Sequence, residues 1–168
     1  MKHLYLIGGT MGAGKTAACR ALQKRLDNCV LLDGDWCWDS HPFLVTDATK
    51  AMVLDNICHL LRNFLACPDY DHVVFCWVMH ERSILDALLE GLRIDGSTCT
   101  VHKVSLVLTP QALEARLRRD VEAGLREEEI IARSLARLPL YTAEALGTRL
   151  IDVSHITPEE AAERILAG

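Results

Sequence analysis

A chain of 168 residues, half of them apolar, can bury a sizeable core as one domain without metal or disulfide staples. Its formal charge of -5 excludes a protein whose main work is wrapping nucleic acid, while leaving room for a local basic site. Seven cysteines (19, 29, 37, 58, 67, 76, 99) form no C-x-x-C pair and sit mostly in apolar surroundings, which reads as buried thiols in a reducing, cytoplasmic setting.

Short β-rich runs alternate with longer runs of helical period, the pattern of an α/β domain with a parallel sheet. The first strand is expected at 3–8 (HLYLIG); its apolar run is too short for a signal-peptide core, and no stretch of the chain has the apolar length to span a bilayer. A first helix opens in the glycine-rich segment that follows and runs to about Leu26, with Ala18, Leu22 and Leu26 facing the sheet. A second strand at 29–33 (CVLLD) precedes a helix from about Asp47 to Leu65, capped by Thr46 or Asp47, whose core stripe is Val53, Ile57, Leu60 and Phe64. A third strand at 72–78 (HVVFCWV) leads to a helix over about Glu81 to Leu92. After a fourth strand at 101–108, Thr109-Pro110 starts a helical pattern that continues to Leu138, where Pro139 stops it. A fifth strand at 149–153 and a last helix opening at Thr157-Pro158 complete a single domain over 1–168, with no repeat or linker. Most of the strands are continuous apolar runs, as expected when both faces are covered.

Between the first strand and the first helix, Gly9-Thr10-Met11-Gly12-Ala13-Gly14-Lys15-Thr16 matches G-x-x-x-x-G-K-[ST], the Walker A phosphate loop, in the context that its mechanism requires. Glycines let successive N–H groups of Gly9, Met11, Gly12, Ala13, Gly14 and onward to Ala17 point inward, and the helix start adds its positive end, a cradle for di- or triphosphate oxygens. Lys15 reaches the β- and γ-phosphates, and the Thr16 hydroxyl is placed to ligate Mg2+. A nucleoside triphosphate, ATP, is the expected ligand; no N-K-x-D string is present to read guanine.

Strand two runs into Leu32-Asp33-Gly34-Asp35, and in a doubly wound sheet the end of a neighbouring strand opens into the same crevice as the phosphate loop. Asp35 is assigned to orient an attacking hydroxyl and accept its proton, and Asp33 to hold the magnesium shell; the competing reading is an Asp-Gly turn after a strand. Late in the chain Arg116, Arg118, Arg119, Arg126, Arg133 and Arg137 crowd 22 residues, with no lysine after Lys103. Arginine suits planar contact with phosphate and stacking on a base. On a helix from about Arg126, residues Arg126, Arg133 and Arg137 share a face, although neighbouring glutamates could instead make this a solvated, ion-paired helix.

With loop, DGD and late arginines together, the chain resembles the small-molecule kinases of the P-loop superfamily: gluconate, adenylylsulfate and shikimate kinases and chloramphenicol phosphotransferase. The likeness spans nearly the whole length. It implies a five-stranded parallel sheet in order 2-3-1-4-5 and a helical lid after strand four, about 110–140, that brings arginine onto ATP. Leu113-Glu-Ala-Arg116-Leu-Arg-Arg119 is similar to the L-x-x-R-L start of that lid, so the resemblance puts Arg116 against adenine, Ser154 and His155 in the adenine loop, and Arg119, Arg126 and Arg133 around the phosphates. The chain departs from the pattern in three places. Gluconate kinase has a histidine soon after DGD, whereas Trp36-Cys37-Trp38-Asp39-Ser40-His41 stands here. Strand three carries no acid at its end, which moves the magnesium shell onto Asp33. Asp120 occupies the usual place of the second lid arginine, leaving Arg118, Arg119 or Arg126 as its substitute.

In this superfamily the acceptor pocket lies between strands two and three and at the end of strand three, which nominates Trp36, Trp38, His41, Phe43, Asn56 and His80. Trp77, placed mid-strand, reads as core. The tryptophans at this mouth fit a small-molecule hydroxyl acceptor with a ring or apolar face. The expected activity is therefore transfer of the ATP γ-phosphate to a metabolite, nucleoside or antibiotic hydroxyl, with a non-catalytic nucleotide-binding module as the alternative. A polynucleotide 5′-end kinase lacks a basic track here. The oligomeric state is open.

Overall fold

A computed structural model describes residues 1–168. The five strands are β1 (Lys2–Gly8), β2 (Cys29–Asp33), β3 (His72–Cys76), β4 (Cys99–Val107) and β5 (Arg149–Asp152). They form one sheet in the order β2-β3-β1-β4-β5, with every pairing parallel. This is the sheet that the kinase resemblance implied. Around it lie α1 (Lys15–Gln23), α2 (Asp47–Ala66), α3 (Arg82–Leu92), α4 (Pro110–Glu122), α5 (Glu129–Arg137), the single turn α6 (Ala143–Leu146) and α7 (Pro158–Leu166). None is long and apolar enough to cross a membrane.

The alternation of side chains along β1 explains the layering. Leu4 and Leu6 point to one face and pack with Val73 and Phe75 against Val53, Ile57 and Leu61 of α2 and Leu85 and Leu88 of α3. Tyr5 and Ile7 point to the other, with Val74 and Leu106, against α1, α4 and α7. Both faces are dry, which is why the strands read as unbroken apolar runs. Helix starts follow the expected chemistry: Thr46 and Thr157 each form a reciprocal capping box, and Thr109 accepts from the Ala112 amide ahead of Pro110.

Four expectations need correction. The helical pattern from Thr109 to Leu138 is not one helix. It breaks after Glu122, where Gly124 takes φ 69 and the Leu125 amide closes back on the Asp120 carbonyl at 2.9 Å. Gly124 pins a left-handed turn that periodicity alone passes through. In consequence Arg126 lies in the turn before α5 and does not share a helix face with Arg133 and Arg137. Strand three ends at Cys76, so Trp77 follows the strand instead of sitting within it, and α1 ends at Gln23, a turn earlier than its apolar stripe. The stripe of α2 is shifted: Cys58 and Leu61 are buried with Val53 and Ile57, while Leu60 and Phe64 are only partly covered.

Candidate active site

The phosphate loop joins β1 to α1, and its backbone is built around glycine. Gly12 and Gly14 both take φ 84 and Gly9 takes φ 147, conformations that side-chain-bearing residues rarely adopt. Space enforces the same choice at Gly12, where a Cβ would stand 2.7 Å from Leu117 and 2.9 Å from Leu113 of α4. The loop thus lies close under α4, while Met11, Gly12 and Gly14 line a cavity of about 470 Å3.

Of the residues nominated from the sequence, Met11, Gly12, Gly14, Lys15, Thr16, Ala17, Asp33, Asp35, Arg116, Arg119 and Arg126 line that cavity. Gly9 and Ala13 belong to the loop but are turned away: Gly9 lies against the Leu106 carbonyl, and Ala13 is buried in the core. Lys15 donates to its own loop, Nζ to the Thr10 carbonyl at 3.0 Å. Burial draws its pKa below the ordinary lysine range, and Cys76, Asp35 and Asp33 oppose that.

Asp33, 6% exposed, ends β2 with both oxygens occupied. Oδ2 accepts from the Thr16 hydroxyl at 2.7 Å and Oδ1 from the Asp35 amide at 3.1 Å. The second bond caps a 3-10 turn over Gly34–Cys37, which carries Asp35 to the cavity wall. The Asp35 carboxyl is held above the usual aspartate range by burial and by the charge of Asp33; the charges of Lys15 and Arg126 pull it back. Gly34 makes room for this arrangement, since a Cβ there would fall 2.5 Å from the Trp77 ring. Asp120 is the cavity's unexpected participant. The acid in an arginine's place is the sequence signal for it.

Asp120 pairs with Arg126, Nε to Oδ2 at 3.0 Å, so the turn after α4 folds a guanidinium back over the cavity. Arg119 lines the same wall, whereas Arg118 points outward onto Glu114. Arg116 bridges the phosphate loop and the segment after β5, donating to the carbonyls of Ala13 at 3.4 Å and of Val153. Ser154 beside it accepts from the Thr109 amide at 2.9 Å, and His155 is exposed. Arg133 is exposed on α5 and does not line the cavity.

The nominated acceptor residues stand outside the phosphate cavity. Trp36 is 55% exposed, with the Arg20 guanidinium 5.7 Å from its ring centroid. Trp38 packs against Phe43 with ring centroids 4.7 Å apart and the planes tilted by 43°, and His41 and Asn56 are exposed. His80 is half-buried, its Nδ1 has no hydrogen-bond partner, and burial together with Arg137 lowers its pKa. No three His, Cys, Asp or Glu side chains come together to hold a metal by protein ligands alone. The oxygen pair of Thr16 and Asp33 fits Mg2+, which keeps most of its shell as water and phosphate.

The family described as AAA domain matches residues 6–134, which include the loop, both aspartates, α4 and the first part of α5. A comparison with curated proteins finds no match. Among solved structures, the Deinococcus radiodurans tunicamycin resistance protein is 20% identical with a TM-score of 0.74, covering 99% of this chain and 95% of its own. A gluconokinase from Sinorhizobium meliloti is 19% identical at 0.69, covering 98% and 90%. A shikimate kinase from Acinetobacter baumannii in complex with shikimate is 20% identical at 0.63, covering 99% and 91%. Identities this low speak for the fold. The family match spans most of the sequence, and the chain therefore belongs to the AAA domain family and has the P-loop kinase fold.

Proposed function

We propose that the chain is a phosphotransferase moving the γ-phosphate of ATP to a hydroxyl of a small molecule. The observation that carries this reading is the opening of Asp35 and the Thr16–Asp33 pair onto the same cavity as Lys15 and the glycine loop. A pure nucleotide-binding module needs the loop but not a second carboxylate, with a raised pKa, on the wall of the same cavity.

In this reading the loop amides and the start of α1 receive the phosphate oxygens, and Lys15 exchanges the Thr10 carbonyl for them. Bound Mg2+ would offset charge on the β- and γ-phosphates, held by Thr16 and, through its water, by Asp33. Asp35 aligns the acceptor hydroxyl and takes its proton as oxygen bonds to the γ-phosphorus; the bond to the bridging oxygen breaks and its electron pair leaves with ADP. A pKa raised toward neutrality makes Asp35 a better-matched base than an ordinary aspartate. Arg119 and Arg126 neutralise charge on the transferred group, and Arg116 with Ser154 and His155 borders the base. The helices α4 and α5 with the turn between them serve as the lid.

The acceptor enters beside the segment after Asp35. Trp36, Phe43, Leu44, Val45 and Met52 are all 48–58% exposed there, an apolar surface left in water. That supports an acceptor with a ring or apolar portion over a purely polyhydroxylic one. The neighbours' names cover an antibiotic resistance protein as well as sugar and shikimate kinases. The test is a screen of hydroxylated small molecules for stimulated ADP release from MgATP. Stimulation in the wild-type protein and none in Lys15→Ala supports the proposal; stimulation that survives the substitution removes it.

A further inference from the structure

At the opposite end of the sheet, where β1 and β4 begin and the C-termini of α2 and α3 converge, lies a second cavity of about 360 Å3. Leu65, Leu92 and Ile94 are among the apolar side chains of its wall, and Lys2, Arg62 and Arg93 bring three cations to it. In a chain of formal charge -5 this local excess is notable, because none of the three has a carboxylate within ion-pair distance; all six ion pairs lie elsewhere. The one acid at the cavity, Asp95, has both oxygens engaged by Ser97, at 2.9 and 2.8 Å. Lys2 is occupied by the carbonyls of Cys67 and Tyr70, and Arg62 gives one nitrogen to the Gly91 carbonyl at 2.7 Å. The Arg93 side chain makes no hydrogen bond.

Arg93 also caps α3 in the left-handed conformation, φ 50 and ψ 47, where glycine or asparagine is the ordinary choice. A cation at a helix C-terminus is favourable, which accounts for the charge but not for a side chain at a backbone position that favours its absence. A half-apolar, cationic cavity of this size falls within the range of small-molecule sites. Along β1 it lies about 20 Å from the phosphate loop, at ~3.3 Å per residue, so the two sites share no residue.

We infer that this cavity binds a small monocarboxylate with an apolar body, its carboxylate taken by the Arg93 fork with Arg62 beside it and its body laid on Leu65, Leu92 and Ile94. The guanidinium geometry matches a carboxylate in two parallel bonds. The inference is independent of the phosphotransferase reading.

The experiment is calorimetric titration and thermal melting of the full chain with hexanoate, inorganic phosphate and hexylamine, in the wild type, Lys15→Ala, Arg93→Gly and Arg93→Asn. Hexanoate is expected to bind and raise the melting midpoint in the wild type and equally in Lys15→Ala, which separates this site from the phosphate loop. Both Arg93 variants, whose residues suit the left-handed backbone, are expected to melt at or above the wild-type midpoint yet bind hexanoate about tenfold to a hundredfold more weakly, the loss of a charge-assisted bond. Binding of hexylamine or phosphate as tight as that of hexanoate would overturn the assignment. So would hexanoate binding that is undetectable in the wild type, lost in Lys15→Ala, or unchanged in both Arg93 variants.

Discussion

The two halves of the proposed catalytic cleft are built differently. On the phosphate side four side chains are already engaged: Lys15 on Thr10, Thr16 on Asp33, Asp33 on the Asp35 amide, Arg116 on Ala13 and Val153. Leu113 and Leu117 of α4 leave no room for a side chain at Gly12. On the acceptor side, Trp36, Phe43, Leu44 and Val45 are more than half exposed, and the loop that bears them is tied down mainly by Thr49 accepting from Thr46 and donating to the Leu44 carbonyl at 2.9 Å. In the proposed reaction a preformed cradle would fix the donor nucleotide, while an uncovered apolar wall would take its final shape only against the acceptor.

Substitutions on the cradle side should therefore cost most. Lys15→Ala is expected to lower turnover by about a hundredfold to a thousandfold or more and to abolish the rise in melting midpoint given by MgATP. Asp35→Asn should lower kcat by about a hundredfold to ten-thousandfold with MgATP binding nearly unchanged, since it removes a base and not the cradle. The pH profile gives a second reading of the same residue. The folded Asp35 pKa lies above the ordinary aspartate value, so activity should rise with pH through that raised pKa, and the limb should vanish in Asp35→Asn. Stability should move in the opposite sense over the same interval, because the folded state holds the proton more tightly than the unfolded one.

Gly34→Ala probes the joint between the halves. A methyl at 2.5 Å from Trp77 must displace the ring or the turn that carries Asp35, and the expected loss of stability is about 1–3 kcal/mol, read by denaturant melting, with a fall in kcat smaller than that of Asp35→Asn. Trp36→Ala, on the open side, should leave stability within about 0.5 kcal/mol and raise the acceptor KM without changing that for ATP. A large stability loss there would mean that the acceptor wall is as preformed as the cradle.

What the sequence disclosed divides along the same line. The sheet order followed from the kinase resemblance, and strand and helix positions from apolar runs and caps such as Thr46 and Thr157, because those signals are local and repeat along the chain. The break at Gly124 was hidden, since one glycine inside a strong helical period is tolerated as often as it ends a helix. That break put Arg126 into the cavity from a turn and dissolved its supposed face with Arg133 and Arg137. The Asp120–Arg126 pair and the approach of Trp77 to Gly34 join residues far apart in sequence or on separate elements, and no periodicity encodes them.

The most direct test measures acceptor-stimulated release of ADP from MgATP in wild type and Asp35→Asn side by side, with MgATP affinity determined for both. The account predicts stimulated release in the wild type, its near-complete loss in the variant, and equal affinities. Equal turnover in the two proteins would contradict it.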